Sequence, residues 1–438
     1  MVRQRAIAVS TCLILASIGL VLLSCTRSQE SDGVQLLLWS STNPPEMEHA
    51  RALVTEWNLA HPDTFVTLQP IPEGRSGEEV LIIAAAGGTA PDICTNIPPI
   101  IAPLLADAGS LLPLDSINGA RQAIEARVPE EVLATFIDND GLLYQIPWKG
   151  NPILIQYNTT MLHDAGVDSL PQTWSEFAIA ADKVTVDLDG DGAIDRRMTL
   201  FNPISEWRQR LFDFYPFFIA STGGETLLNG TEVNFDRLET ERVFRFFQNG
   251  FERNWFSRSL PVGDPFVVGE KFASRITGPW NIAYTERFKG DNFEYEYGPI
   301  PVPDDYVGPK FTFGDPKSIG IFSTTDHPDA AWAFVDFYTS RSADLRLLEI
   351  TSQLPLRRDL LSDSLYTEFF SQNPRMVQFA EQIPNTRGFD QNPVLQEVFD
   401  AIAMQFDAVC VHSRRTPEEG VEKAANRSRT ILRLRGNK

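Results

Sequence analysis

Four aspartates are crowded into residues 187–195, where their spacing is typical of a metal-binding loop. They occupy positions 1, 3, 5 and 9, with a glycine at position 6, which is how loops wrap around Ca²⁺. Position 12 is Met198, where such loops place a glutamate that binds through both oxygens. Two interpretations stay open: a structural calcium site with an incomplete ligand set, or a solvated Asp-Gly turn. The four aspartates are Asp187, Asp189, Asp191 and Asp195.

Tryptophan, of which the chain has eight, offers a second chemistry, the recognition of sugars. A sugar presents a face of C–H groups and a rim of hydroxyls, which an indole ring bordered by polar side chains matches. Covering about 50–100 Å² of that face is worth about 1–2.5 kcal/mol. Trp39 and Trp280 follow predicted strand ends, Trp148 follows a predicted crossing between domains, and Trp207 is a weaker fourth candidate. For each of them, packing in the core is the alternative.

Motifs of covalent catalysis are missing from the sequence. Residues 85–89 are rich in glycine but lack the Lys-Ser/Thr ending of a phosphate-binding loop, and no Gly-x-Ser-x-Gly elbow occurs. The histidines show no metal-ligand spacing. Nucleophilic catalysis therefore has no support in the sequence, and we predict no required cofactor. The alternative is an enzyme acting on glycosides through a carboxylate pair, which in retaining hydrolases lies about 5–5.5 Å apart.

The beginning of the chain has the pattern of a secretion signal. Arg3 and Arg5 precede a run without charge that ends in Ser24 and Cys25. This order predicts a signal peptide over 1–24, lipid attachment at Cys25 and a flexible tether over 25–32. A transmembrane anchor is the alternative, but serines and a threonine dilute the apolar run. The expected location is extracytoplasmic, anchored by lipid to a bacterial membrane.

Length and charge narrow the class of protein further. A chain of 438 residues is too long for one ordinary core, which predicts two domains. Its formal net charge of −20 repels nucleic acid, so we expect no nucleic-acid partner. Cys94 and Cys410, the cysteines beyond the tether, are far apart in sequence and are predicted to be buried free thiols.

Strand and helix alternate in the first part of the chain, which predicts a doubly wound α/β lobe. In such a lobe the ligand crevice lies beyond the carboxyl ends of the strands. Ser41, Asn43 and Asn96 follow two of those ends and are predicted to face the crevice. The predicted strands are 34–39, 64–69 and 92–95, and the predicted helices are 46–59 and 78–86.

Helix signals continue through the rest of the chain. Thr173 with Glu176, and Thr416 with Glu419, have the spacing of capping boxes, and each is predicted to open a helix. Apolar residues at helical spacing predict a further helix over 329–339.

Several segments, taken in order, are similar to those of a known family. They are residues 88–92 (Gly-Thr-Ala-Pro-Asp), 141–147, 157–158, 162–166, 171–174, 277–280 (Thr-Gly-Pro-Trp), 328–334 and the pair Leu354-Pro355 before Arg357. Together they resemble the extracellular solute-binding proteins of ABC importers, in the sugar-binding group that includes maltose-binding protein. The resemblance covers nearly all of the chain beyond the tether.

The resemblance implies two α/β lobes joined by hinge strands that close on a small solute. It favours binding over catalysis, so we predict that the protein is not an enzyme. One lobe would comprise 33–146 with 311–352, and the other 148–308 with 355–438. The implied partners are a carbohydrate or neutral polyol and the membrane permease that receives it, and the implied state is a monomer. It also adds Arg357 to the expected ligand contacts and supports Trp280, whose segment commonly lines the cleft. A protein that kept this fold as an interaction lipoprotein, without transport, stays open.

Overall fold

The computed structural model describes residues 33–72, 76–138 and 140–436. The predicted signal peptide, the tether and Cys25 lie outside these ranges. Within them, no helix combines the length and the apolar character needed to cross a bilayer.

The chain forms many short strands and helices that alternate in its first part, as predicted. In chain order the strands are β1 (Val34–Ser40), β2 (Thr64–Pro70), β3 (Ile93–Ile97), β4 (Ile146–Lys149), β5 (Leu154–Asn158), β6 (Arg197–Leu200), β7 (Leu228–Asn229), β8 (Glu232–Val233), β9 (Phe272–Thr277), β10 (Tyr295–Gly298), β11 (Thr312–Phe313), β12 (Lys317–Ile321) and β13 (Thr386–Arg387). The first two helices are α1 (Pro44–Ala60) and α2 (Gly77–Ala86). The predicted elements between residues 34 and 95 are confirmed, with bounds shifted by no more than two residues.

The remaining helices surround the two sheets. They are α3 (Ala102–Asp107), α4 (Ala120–Arg127), α5 (Glu130–Leu133), α6 (Thr159–Asp164), α7 (Trp174–Val184), α8 (Trp207–Arg210), α9 (Phe214–Thr222), α10 (Leu238–Glu252), α11 (Asn281–Phe288), α12 (Pro328–Tyr338), α13 (Arg341–Thr351), α14 (Thr367–Gln372), α15 (Pro374–Gln382), α16 (Leu395–Phe406) and α17 (Pro417–Gly436). Short 3₁₀ turns lie at Leu114–Ser116, Ala134–Phe136 and Ile383–Asn385, and a π-helical turn, Asp407–Val411, follows α16.

The first sheet has the strand order β2-β1-β3-β12-β4. Strands β2, β1 and β3 run parallel, whereas β12 is antiparallel to both of its neighbours. Because β1 and β3 run in the same direction, their carboxyl ends meet at one edge, as the alternation of strand and helix predicts. Leu38, Ile93 and Cys94 are fully buried at the centre of this sheet.

The second sheet has the order β10-β5-β9-β6 and is mixed. Strand β5 is antiparallel to β10 and β9, while β6 runs parallel to β9. The chain first passes from one sheet to the other at residues 150–153, because β4 belongs to the first and β5 to the second. Trp148 and Lys149, which follow the predicted boundary at 147, therefore still lie in the first sheet. The predicted limits of the lobes otherwise stay predictions.

Local signals in the sequence form the predicted caps. Thr173 Oγ1 accepts a hydrogen bond from Glu176 N at 3.3 Å, and Glu176 Oε2 accepts one from Thr173 N at 3.2 Å. Thr416 and Glu419 form the same reciprocal pair at the start of α17, with 3.3 and 3.1 Å. Such caps satisfy backbone donors that the first helical turn leaves free. Both helix starts are confirmed.

Phenylalanine fills much of the interior of the second lobe. The ring centroid of Phe201 lies 5.5 Å from that of Phe256 and 6.1 Å from that of Phe406. Cys410 lies fully buried in the same cluster, and neither it nor Cys94 forms a disulfide, as predicted. A tightly packed aromatic interior makes this lobe a rigid support for the residues that face the first lobe.

Candidate ligand-binding cavity

A cavity of about 590 Å³ opens at the carboxyl ends of β1 and β3. Its wall includes Ser41, Asn43 and Asn96, so the structure brings three of the predicted contacts together. Residues 71–72, which follow β2, and residues 76–78, at the start of α2, form another part of the wall. This is the edge of the sheet at which an α/β fold places its ligand.

The chain leaving β1 holds its polar side chains in place by local hydrogen bonds. Asn43 caps α1, because its Oδ1 accepts from Glu46 N at 3.4 Å. Ser41 Oγ accepts from Asn43 N at 3.1 Å. Asn96 has a positive φ of 62°, a left-handed conformation that asparagine tolerates better than most residues. These turns direct polar groups toward the cavity.

A buried ion pair, which the sequence reasoning missed, lies behind this wall. Glu46 lines the cavity and is 7% exposed, and its Oε1 lies 2.9 Å from Lys149 Nζ, whose side chain is 1% exposed. Gln353 Nε2 also donates to Glu46 Oε1 at 2.7 Å. One signal could have pointed here: Lys149 is an ionisable residue that ends a short apolar run, where a charge needs a partner.

The pKa values of the pair follow from burial and mutual attraction. Burial raises the pKa of Glu46, but the charge of Lys149 and hydrogen bonds from Gln353 outweigh it, so the pKa lies below its ordinary value. Burial lowers the pKa of Lys149 to about 8, against the opposing effect of Glu46. At neutral pH the two side chains form an ion pair with no net charge.

The two lobes are joined directly at the rim of the cavity. Arg208, on α8, places Nη2 2.6 Å from Oε2 of Glu78, which lies in the first turn of α2. The Arg208 guanidinium lies 5.2 Å from the Trp207 ring. Trp207, the weaker tryptophan prediction, is half-buried beside this contact between the lobes.

Neither Trp280 nor Trp39 is part of the described wall of the cavity, and their surroundings differ. Trp280 is half-buried before α11 and packs edge-on against Phe212, with ring centroids 6.2 Å apart. A side chain at Gly278 would overlap the Trp280 ring, so the glycine permits this placement. Trp39 is 7% exposed and packs in the core, and its Nε1 has no hydrogen-bond partner within the described ranges.

Trp148 and Arg357 lie away from the cavity, contrary to expectation. Trp148 is 1% exposed in the core of the first lobe, with its ring centroid 5.7 Å from that of Tyr338. Arg357 Nε donates to Asp344 Oδ2 at 2.6 Å, in a separate hollow of about 280 Å³. Both residues lie near the predicted hinge in sequence. The side chain of Trp148 is buried because β4 belongs to the first sheet, and that of Arg357 is held by its ion pair with Asp344. Neither is kept in the proposed contact set.

The aspartate loop is exposed and lies outside the wall of the cavity. Carboxylate oxygens of Asp187, Asp189 and Asp195 lie within 4.8 Å of one another, whereas Asp191 accepts a hydrogen bond from Ala193 N at 2.7 Å. Asp187 accepts from Gly192 N at 2.8 Å and from Gly190 N at 2.7 Å, and these bonds lower its pKa. The three converging carboxylates are compatible with a calcium site, and the backbone hydrogen bonds of Asp187 are compatible with a solvated turn.

Comparison with known families identifies the class of protein. Residues 41–344 match the model of the bacterial extracellular solute-binding proteins. The chain belongs to that family. The predicted resemblance is confirmed, and the family description indicates a location outside the cytoplasm.

Individual relatives agree with this assignment. A maltotriose-binding protein of Pyrococcus abyssi is 20% identical over 419 residues, which cover 91% of this chain and 82% of that protein. An uncharacterized lipoprotein of Streptomyces antibioticus is 28% identical over 369 residues, covering 80% and 77% respectively. The solved structure of the sugar-binding protein MalE from Xanthomonas citri shares the two-lobed α/β fold, with a TM-score of 0.77, 20% identity and coverage of 92% and 98%. The predicted fold class is therefore confirmed.

Proposed function

We propose that this solute-binding protein captures a carbohydrate or neutral polyol between its lobes and delivers it to an ABC permease. The observation that carries the proposal is the polar cavity at the strand ends of the first lobe, closed on one side by a contact from the second. Binding then shifts an equilibrium between open and closed lobes, without covalent chemistry.

The balance of charges around the cavity supports a neutral ligand. Among the described residues of its wall, each charged side chain has an opposite partner: Glu46 with Lys149, Glu78 with Arg208, and Lys317 with Asp315 at 2.6 Å. An anionic or cationic ligand would have to displace one of these partners. Hydroxyl groups can instead share the polar atoms of the wall by hydrogen bonds.

Known relatives support the ligand class. The Pyrococcus relative is named for maltotriose, and the Xanthomonas structure is described as a sugar-binding protein. Both are binding proteins, so we propose that this chain is likewise a binding protein. Its action as a monomer is a separate part of the proposal.

The test is a thermal-shift screen over mono- and oligosaccharides, followed by calorimetric titration of any sugar that stabilises the protein. A ligand at a hundred times its dissociation constant adds about 2.7 kcal/mol to stability. We expect at least one neutral sugar to raise the melting temperature and to be recovered unchanged. Stabilisation by none of them would contradict the transport role, and recovery of shortened sugars would show a glycoside-acting enzyme instead.

We also propose that the protein is anchored through Cys25, which the order of residues at the start of the chain indicates. The Streptomyces relative is named a lipoprotein. In a host that lipidates proteins, Cys25→Ser should release the protein from membranes or leave it unprocessed. Palmitate labelling that survives this substitution would contradict the anchor.

For the aspartate loop we propose a structural, weakly bound Ca²⁺, since three carboxylates converge but the closing glutamate is missing. Asp189→Ala should lower the melting temperature in calcium, with no effect in chelator, and should leave sugar affinity unchanged. A variant that melts like the parent in calcium would favour the simple turn.

A further inference from the structure

The cavity wall contains buried polar atoms without partners. Glu46 is more than nine-tenths buried, and its Oε1 is engaged by Gln353 at 2.7 Å and Lys149 at 2.9 Å. Its Oε2 and the Nδ2 of Asn96 have no hydrogen-bond partner within the described ranges. Because an unmade hydrogen bond at a buried group is costly, such atoms mark where a ligand or an ordered water completes the structure.

The backbone holds both groups at this place. Glu46 lies in the first turn of α1, directly after the cap formed by Asn43. Asn96 adopts its left-handed conformation on β3, and strain of this kind often accompanies a functional position. The Asn96 amide is close enough to Glu46 to help lower its pKa, but their geometry falls short of a hydrogen bond.

We infer that Glu46 Oε2 and Asn96 Nδ2 form an acceptor and donor pair for hydroxyl groups of the ligand, and that Lys149 and Gln353 position Glu46. The inference rests on the proposed function and specifies the chemistry of its ligand. A hydroxyl can donate to the carboxylate and also accept from the amide, which a sugar or polyol satisfies. Lys149 already neutralises Glu46, so the pair favours a neutral ligand over a cation.

The pair of Glu46 and Asn96 also predicts that the protein distinguishes a sugar from its deoxy analogues. A hydrogen bond from a hydroxyl to a carboxylate is stronger than one between neutral groups. A ligand that lacks that hydroxyl leaves the buried oxygen unpaired, and sites of this type reject such analogues strongly. We therefore expect the protein to bind one deoxy analogue of its sugar much more weakly than the others.

The cleanest variant is Asn96→Gly, because glycine adopts a φ of 62° without strain and removes only the amide. With maltotriose as the probe in calorimetric titration, we expect affinity to fall about five- to twentyfold, as for one lost hydrogen bond. The melting temperature of the ligand-free protein should stay within a few degrees of the parent.

Glu46→Gln tests the acceptor, and Glu56→Gln is its matched control. Glu56 lies on the same helix and pairs with Arg346 at 2.9 Å, but it does not line the cavity. We expect a loss of at least about tenfold for Glu46→Gln and less than about twofold for the control. Because the first variant leaves Lys149 unpaired, circular dichroism must confirm that it folds.

A panel of monodeoxy maltose analogues provides a readout that a structural role would not change. One analogue should bind the parent protein more weakly than maltose does. The Glu46→Gln protein should bind that analogue and maltose with equal affinity. The inference is overturned if the parent binds the sugars while folded Asn96→Gly and Glu46→Gln proteins bind them equally tightly. If the parent itself binds none of the sugars screened, the proposed function fails and the inference fails with it.

Discussion

Two surface cavities of similar size differ in whether their polar side chains have hydrogen-bond partners within the protein. One is the cavity of about 590 Å³ described above, and the other is a groove of about 500 Å³ between α7 and α10 of the second lobe. The groove looks more like a sugar site by composition, since it contains two tryptophans and three arginines. They are Trp174, Trp255, Arg242, Arg245 and Arg253.

Every one of these groove residues already has a partner in the protein. Trp174 Nε1 donates to Pro301 O, and Trp255 Nε1 donates to Asp182 Oδ1, both at 2.9 Å. The three arginines form ion pairs, for example Arg242 with Asp305 at 2.7 Å. The cavity, in contrast, holds buried atoms of Glu46 and Asn96 that have no partner among the residues the structure describes. Unused hydrogen-bonding capacity, rather than size or aromatic content, thus distinguishes the proposed ligand site.

The largest expected effect concerns the buried carboxyl group of Asp390, whose pKa is raised, whereas that of Glu46 is lowered. Asp390 accepts hydrogen bonds from Leu227 N and Leu228 N at 3.2 and 3.3 Å, but its burial outweighs them and raises its pKa to about 7. The folded protein therefore binds more protons here than the unfolded chain, whose aspartate has a pKa near 3.9. The stability from this group is complete below about pH 4 and is lost as the pH rises through 7.

Asp390→Asn removes this dependence. At pH 8 we expect the variant to be more stable than the parent by on the order of 2–4 kcal/mol, and at pH 4 to be no more stable. Urea unfolding at the two pH values measures the difference. An equal effect at both would show that Asp390 remains ionised throughout, and the contrast with Glu46 would then disappear.

Tryptophan substitutions test the predicted contact at Trp280, which lies outside the described wall of the cavity, against the groove. Trp280→Ala should weaken sugar binding by about 1–2.5 kcal/mol, a factor of roughly five to seventy, if its ring covers a sugar face. Trp174→Ala should leave affinity unchanged while lowering the melting temperature, because Trp174 packs against Phe246. Calorimetric titration of both variants with the cognate sugar shows which of the two tryptophans contributes to binding. Weaker binding by Trp174→Ala alone would move the site to the groove.

The smallest effect is expected at the contact between the lobes. Glu78→Gln removes the charge that Arg208 meets at 2.6 Å, and because Arg208 is 43% exposed the pair is well screened by solvent. We expect sugar affinity to fall by no more than about fivefold, and the loss to shrink in high salt. Arg346→Gln, which breaks a pair within the first lobe, is the control. Equal losses in the two variants would exclude a specific role in closure.

Much of the architecture follows from local signals. The capping boxes at Thr173 and Thr416 and the apolar runs of β1 and β3 each depend on residues within one or two turns or one strand, so periodicity and capping chemistry are sufficient to predict them. Ser41, Asn43 and Asn96 were placed correctly at the cavity because the ends of parallel strands meet at one edge.

The sequence by itself determined the α/β alternation, the helix starts and the edge of the sheet where polar residues collect. Only the tertiary structure decided which polar groups meet there. Glu46 on α1 and Gln353 after α13 are 307 residues apart, and Lys149 lies on β4, so no local pattern records their contact. Trp148 shows the same limit, since its position near a crossing suggested a ligand contact, whereas its strand places it in the core. The physical reason is that burial follows a residue's own hydrophobicity and spacing, whereas a polar group's role depends on the partner that folding brings to it.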